Sequence, residues 1–217
     1  MDLTTLEPIV LKNFLSEENI ASIYKTVNAA MDKSREENDG DPYLGEMNKL
    51  GNNGFVVFFD NFEPEVRNAV KKGFEDAIGH EIEDPGILFC RYTVDSGAHP
   101  RLLPHADRAM PYPAVTCTVE LETSLDWDIY VEDYKFNLER NDILIFSGSH
   151  TGHWRPDIEF GPNDYFDILL CQSVLKKDGQ EKLTEGFFEY MDKHSGELID
   201  KYRHLLTKSL EREDHRQ

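Results

Sequence analysis

The stretch Pro104–Leu121, PHADRAMPYPAVTCTVEL, joins two patterns, and its reading sets the class of the whole chain. From Ala114 onward the residues alternate as they do along a β-strand. Just ahead of that run stand His105 and Asp107, two positions apart, with Arg108 directly behind them. A two-residue step in an extended chain returns side chains to one face. The stretch therefore offers an imidazole and a carboxylate oriented together, and the question is whether a third ligand exists elsewhere.

Working outward, strand-like runs fill the chain from Ile87 to about Leu175. They read ILFCRYTV, AVTCTVELE, WDIYVEDYKFNL, NDILIFSG, SHTGHWR and YFDILLCQSVL, separated by Gly, Pro, Asp and Asn signals. Short strands at near-regular spacing predict an antiparallel sandwich or barrel. Before them, PIVLKNF (8–14) reads as a strand. Ser16 reads as a helix cap, with Glu17 and Glu18 in the first turn and Ile20, Ile23, Tyr24 and Val27 on one face. A loop is expected over KSREENDGDPYLGEMNKLGNNG (33–54), then a strand in GFVVFFDNF. Val66, Val70, Phe74 and Ile78 mark a second helix opened by Pro64.

After about Lys176 the pattern is helical, through Phe187, Phe188 and Met191 and then Leu198, Ile199, Tyr202, Leu205 and Leu206. Ser195-Gly196 is read as dividing it in two, and EREDHRQ (211–217) as frayed. The whole is an α+β protein with a mainly β core, one domain over residues 1–217. Its parts are N-terminal support (about 1–86), a β core (about 87–175) and C-terminal helices (about 176–217).

The charge balance narrows the function. Twenty-three Lys and Arg stand against 42 Asp and Glu, a formal net charge of -19, which repels nucleic-acid backbones and anionic membrane surfaces. No apolar run is long enough to cross a bilayer, and MDLTTLEPIVLKNF lacks the basic start and apolar core of a signal peptide. Cys90, Cys117 and Cys171 all sit in strand-like runs and read as buried free thiols, which fits a reducing, cytoplasmic setting. A small-molecule or peptide substrate is expected, with no nucleic-acid or membrane partner; strand order and oligomeric state stay open.

The third ligand comes from SGSHTGHWRP (147–156). Two imidazoles and one carboxylate form a facial triad that leaves half of an octahedral metal open, which suits non-haem Fe(II). Two histidines compete here. His150 and His153 point opposite ways in an extended segment, and His153 shares parity with Arg155. The competing reading of His105 and Asp107 is a hydrogen-bonded loop pair. His99 reads as a loop histidine that could touch substrate, and Trp127 and Trp154 as packing.

With these residues in place, the sequence resembles the 2-oxoglutarate- and Fe(II)-dependent oxygenases of the prolyl-hydroxylase-like group. The resemblance rests on Arg91-Tyr92, His105-Ala106-Asp107-Arg108, Trp127, Asn141-Asp142-Ile143-Leu144-Ile145-Phe146 and His153-Trp154-Arg155, and spans Ile87 to Val174. The opening IVLKNFLSEENIASIYKTV resembles the same family less specifically. The resemblance implies a double-stranded β-helix, a jelly roll flanked by the N- and C-terminal helices, with His105, Asp107 and His153 on the iron. It implies a hydroxylase that converts 2-oxoglutarate to succinate and CO2. Related halogenases lack the carboxylate, and Asp107 is present.

One departure stands out. In the family the far carboxylate of 2-oxoglutarate is commonly held by a basic residue in the last strand, yet FGPNDYFDILL (160–170) contains no Arg or Lys. Arg155 is the first replacement, with Tyr92 donating to the same carboxylate, and Arg91 and Arg108 follow. An ordinary salt bridge from Arg155 to Asp157 or Glu159 is the rival reading. MNKLGNNG (47–54) and DSGAHPRLLP (95–104) are candidate lids. The rival functions are a jelly-roll or cupin-like metal-binding module, and a metalloenzyme without oxidative chemistry.

Overall fold

The computed structural model describes residues 2–41, 48–49, 55–59, 62–94, 100, 102–108, 111–176 and 180–214. In chain order the elements begin with β1 (Ile9–Leu11), α1 (Glu17–Glu37), β2 (Asn48–Lys49), β3 (Phe55–Phe59) and α2 (Pro64–Ile78). Then come β4 (Gly86–Thr93), β5 (Leu102–His105), β6 (Ala114–Thr123), β7 (Ile129–Val131), β8 (Tyr134–Phe136) and β9 (Ile143–Phe146). The chain ends through β10 (His153–Arg155), β11 (Tyr165–Val174), α3 (Glu185–Lys201) and α4 (Thr207–Asp214).

The strands form two antiparallel sheets. The larger runs β1-β9-β6-β11-β4-β3-β2, and the smaller β5-β10-β7-β8. Alternation along β4, β6, β9 and β11 separates two apolar layers. Ile87, Phe89, Val119, Ile145 and Cys171 pack against Ile23 and Val27 of α1 and Val70 and Phe74 of α2. Their neighbours of opposite parity, among them Tyr92, Phe146, Phe166 and Ile168, point the other way. There they meet the small sheet: Phe146 lies against His153, and Phe166 lies under the Arg155 guanidinium. The chain is thus helices, large sheet, small sheet, and the layer between the sheets holds the site.

Local signals explain the boundaries. Ser16 accepts from the Asn19 amide at 3.2 Å and starts α1, and Pro64 occupies the first turn of α2. Asn141 sits at φ 66, and its side chain exchanges two 2.8 Å hydrogen bonds with the Leu15 backbone. That turn fastens the start of the chain to β9, on which β1 forms the edge of the large sheet.

Several expectations are corrected. WDIYVEDYKFNL is not one strand but the β7–β8 hairpin, turned at Glu132 with φ 52. Ser195-Gly196 does not interrupt α3, which continues to Lys201, and Gly196 does not take the positive φ a glycine turn would need. The break comes instead at Tyr202 and the short 3-10 turn after it. Helix α1 runs on through Lys33–Glu37, where a loop was expected. The end of DSGAHPRLLP forms β5, which pairs with β10, rather than belonging wholly to a lid. His99 and most of MNKLGNNG lie outside the described residues. No helix among the described residues is long and apolar enough to cross a membrane.

Arg91 has the parity of Phe89, so it faces the helical layer. Its Nε and Nη2 donate to the two carboxylate oxygens of Asp167 at 2.7 and 2.6 Å, and the Tyr24 hydroxyl joins at 3.0 Å. The large sheet separates this cluster from His105 and His153, which removes Arg91 from the anchor candidates. Burial pushes the Asp167 carboxyl above its ordinary range despite Arg91. Arg91→Met leaves that acid buried without its cation, and should lower the unfolding free energy in urea by roughly 3–5 kcal/mol. A loss below about 1 kcal/mol would mean that water or a neighbour takes over the pairing.

Candidate metal centre and anion-binding pocket

The antiparallel pairing of β5 with β10 sets His105 directly opposite His153. Their ring centroids are 4.2 Å apart, and Asp107 follows as β5 ends. One ligand atom from each of His105, Asp107 and His153 lies within 4.8 Å of the others, so the three could hold one metal ion. The parity step seen in the sequence brings His105 and Asp107 together. The strand pairing brings in His153.

Each ring is held by its Nδ1. His105 Nδ1 is 2.8 Å from the Leu103 carbonyl, and His153 Nδ1 is 3.4 Å from that of Thr151. A ring that donates from Nδ1 to a carbonyl keeps its lone pair on Nε2. His153 Nε2 is 3.5 Å from Asp107 Oδ1. Burial, reinforced by repulsion from His153, pulls His105 down to about 4, so it is neutral and able to ligate at ordinary pH. Burial also works to raise the Asp107 carboxyl. The adjoining His153 ring and a hydrogen bond from Thr116 outweigh it and hold the acid ionised well below the usual range.

Thr116 and Gly148 position Asp107, and the sequence reading assigned neither this role. The Thr116 hydroxyl donates to Asp107 Oδ2 from the adjoining strand β6. The Asp107 amide donates to the Gly148 carbonyl at 2.8 Å, so the two backbones run side by side. A Cβ on Gly148 would collide with both Thr116 Oγ1 and Asp107 Oδ2. The sequence signal was there: Thr116 lies on the polar side of an alternating strand, and that side turns inward here. Gly148→Ala is expected to weaken Mn(II) binding roughly ten- to a hundredfold, as loss of a ligand's supporting contact does. Unchanged affinity in a metal titration would show that the carboxylate can shift without leaving its ligating position.

One two-residue step beyond His153, roughly 6.6 Å along the strand, stands Arg155. It is 1% exposed, and its guanidinium lies over the rings of Trp127 (5.2 Å) and Phe166 (4.6 Å). Its Nη1 donates to the Trp127 carbonyl, while Nε and Nη2 have no hydrogen-bond partner. Two unpartnered donors on a buried cation form a fork that fits a carboxylate. Tyr92 is buried in the same layer, edge-on to Trp127 at 5.1 Å. Thr118 Oγ1, on the inward face of β6, is also unpartnered.

Asp157 and Glu159, the rival partners for Arg155, are occupied elsewhere. Asp157 accepts from Ser209 and Lys208, and Glu159 pairs with Lys208. Arg108 points out of the layer, paired with Asp192 and stacked on Phe188, and leaves the set of anchor candidates. His150 bonds Ser147 at 3.0 Å in the turn before β10 and is not part of the triad. Trp154 lies on the outer side of the small sheet, stacked on Tyr130 and tilted against Tyr202.

No protein-family model matches the sequence, and no curated protein matches it. Solved structures do match in shape. A prolyl hydroxylase from Trichoplax adhaerens, in complex with a hypoxia inducible factor oxygen degradation domain peptide, aligns with TM-score 0.53 and 14% identity over 79% of this chain and 85% of that one. A Pseudomonas putida prolyl-4-hydroxylase aligns with TM-score 0.51 and 14% identity, covering 81% and 96%. The collagen prolyl hydroxylase of Paramecium Bursaria Chlorella virus-1, in a 2OG complex, gives 0.52 and 13%, covering 80% and 99%. The chain therefore has the fold of the prolyl hydroxylases of the 2-oxoglutarate/Fe(II) oxygenase family, and it carries within that fold a His-Asp-His group that could bind a metal ion.

Proposed function

We propose that this protein is an Fe(II)- and 2-oxoglutarate-dependent dioxygenase built on a double-stranded β-helix, hydroxylating a small molecule or a protein side chain in the cytoplasm. The observation that carries this reading is the convergence of His105, Asp107 and His153 within 4.8 Å at the edge of the inter-sheet layer, with the unpartnered Arg155 fork behind them. The donors fit the metal: two Nε2 lone pairs and an ionised carboxylate would hold an iron without saturating it. Arg155 Nε and Nη2 fit the far carboxylate of 2-oxoglutarate, and the Tyr92 hydroxyl adds a donor.

Bound iron and 2-oxoglutarate supply the oxidation, in which one oxygen atom of O2 leaves in succinate as CO2 is lost and the other enters the product. The chain's residues orient and exclude. Leu103 and Thr151 carbonyls hold the imidazoles, Thr116 aims the carboxylate, and the Trp127–Phe166–Tyr92 wall keeps water from Arg155. A dry wall strengthens the pairing of a guanidinium with a carboxylate. The peptide bound by the Trichoplax enzyme supports a peptide as one substrate class.

Purified protein given Fe(II), 2-oxoglutarate and oxygen should form succinate, and Asp107→Ala should not. No succinate, together with no binding of 2-oxoglutarate to the metal-loaded protein, would overturn the proposal in favour of a metal-binding module without oxidative chemistry.

A further inference from the structure

Glu120 is a buried acid with no role in the reading above. It is 4% exposed, and it lies on β6 with Thr116 and Thr118 turned to the same side. Its cross-strand neighbour is Ile168, which belongs to the apolar cluster containing Tyr92, Trp127 and Phe166. Arg155 lies against the last two of these rings. The acid and the guanidinium thus share one water-poor layer. Arg155 is the foremost cation acting on Glu120, and Glu120 is the foremost acid acting on Arg155. No hydrogen bond ties Arg155 Nε or Nη2 to the acid.

We infer that Glu120 makes co-substrate binding proton-coupled: it balances Arg155 while the pocket holds no anion, and it takes up a proton when a carboxylate reaches the guanidinium. The inference rests on the oxygenase reading and adds a control on the same site. Its physical basis is charge. A single buried cation cannot compensate two carboxylates in a low-dielectric layer, so one of them must be neutral.

The neighbourhood decides which one. Asp142, from the turn before β9, acts on Glu120 but is itself held by Lys12 at 2.6 Å and the Glu139 amide at 2.7 Å. Asp126 and Asp128, from the segment before β7, add negative field, and Asp128 is paired with Lys135. Burial pushes the Glu120 carboxyl up to about 7, with Arg155 opposing the rise and these three acids adding to it. Glu120 therefore gives up its charge more readily than an ordinary carboxylate. The far carboxylate of the co-substrate, met by the guanidinium fork, keeps its own.

The test is calorimetric titration of the Mn(II)-loaded full chain with 2-oxoglutarate in pairs of buffers of different ionisation enthalpy. Wild type should take up nearly one proton per ligand at about pH 8, and its Kd should rise up to about tenfold per pH unit above Glu120's ionisation. Glu120→Gln should take up less by that amount and bind more tightly than wild type at about pH 8. Equal proton uptake in the two proteins would overturn the inference. If Glu120→Gln does not fold, the wild type still decides: absence of uptake at about pH 8 overturns it. Absence of any 2-oxoglutarate binding even at about pH 6 would remove the oxygenase reading itself, a result distinct from binding without proton uptake.

Discussion

Asp107→Ala is expected to weaken metal binding by more than about a hundredfold, beyond what loss of a supporting contact costs, and to leave no measurable succinate formation. The carboxylate is the sole anionic member of the triad, and the Thr116 hydroxyl donates to it. Without it, two neutral imidazoles remain on adjacent strands, and nothing in the set balances the charge of a divalent ion. Mn(II) titration and succinate assay read the two effects separately. Asp107→Glu pushes its oxygens one methylene farther, where Thr116 and the Gly148 backbone already crowd the carboxylate, so it should recover little. Near-normal metal affinity in Asp107→Ala would mean that the ion is held by other groups, and the triad assignment would fail.

Arg155→Met should retain metal binding and weaken 2-oxoglutarate binding by roughly a hundredfold, as expected for loss of a buried charge-assisted fork worth about 2–3 kcal/mol. Methionine fills much of the volume between Trp127 and Phe166, so the wall need not collapse. Arg155→Lys should recover only part of the loss, because an ammonium is a point charge without the planar pair of donors. Measurement is titration of the Mn(II)-loaded variants with 2-oxoglutarate. Wild-type affinity in Arg155→Met would place the anchor at another cation, and the proton coupling assigned to Glu120 would lose its partner.

The two predictions differ in how far the sequence could reach them. His105 and Asp107 were legible because two steps of extended chain return to one face, a rule that needs no knowledge of the fold. The choice of His153 over His150 rested on its shared parity with Arg155 and on the resemblance to the family's His-Trp-Arg run, and the pairing of β10 with β5 supports it. The strand-rich centre and the two amphipathic N-terminal helices were legible from periodicity, since burial on one face imprints a repeat. The misreadings have equally local causes. Glu132 turns a hairpin without glycine or proline. Gly196 carries a turn signal inside a helix whose contacts override it.

Arg155, Arg91 and Arg108 show where sequence stops. All three lie beside family-like motifs, and composition cannot rank them. Arg91 is claimed by Asp167 across one strand pair, and Arg108 by Asp192 on α3. Arg155 alone of the three enters the layer between the sheets, with two donors unpartnered.

What the sequence by itself determined is the set of short-range relations: strand and helix periods, the cap at Ser16, and the shared face of His105 with Asp107. Those depend on backbone geometry over a few residues. Only the tertiary structure decided which polar face became interior, which arginine kept its donors open, and that Glu120 stands buried near Arg155. These depend on which strands stack across the layer, and on the charges that folding then removes from water.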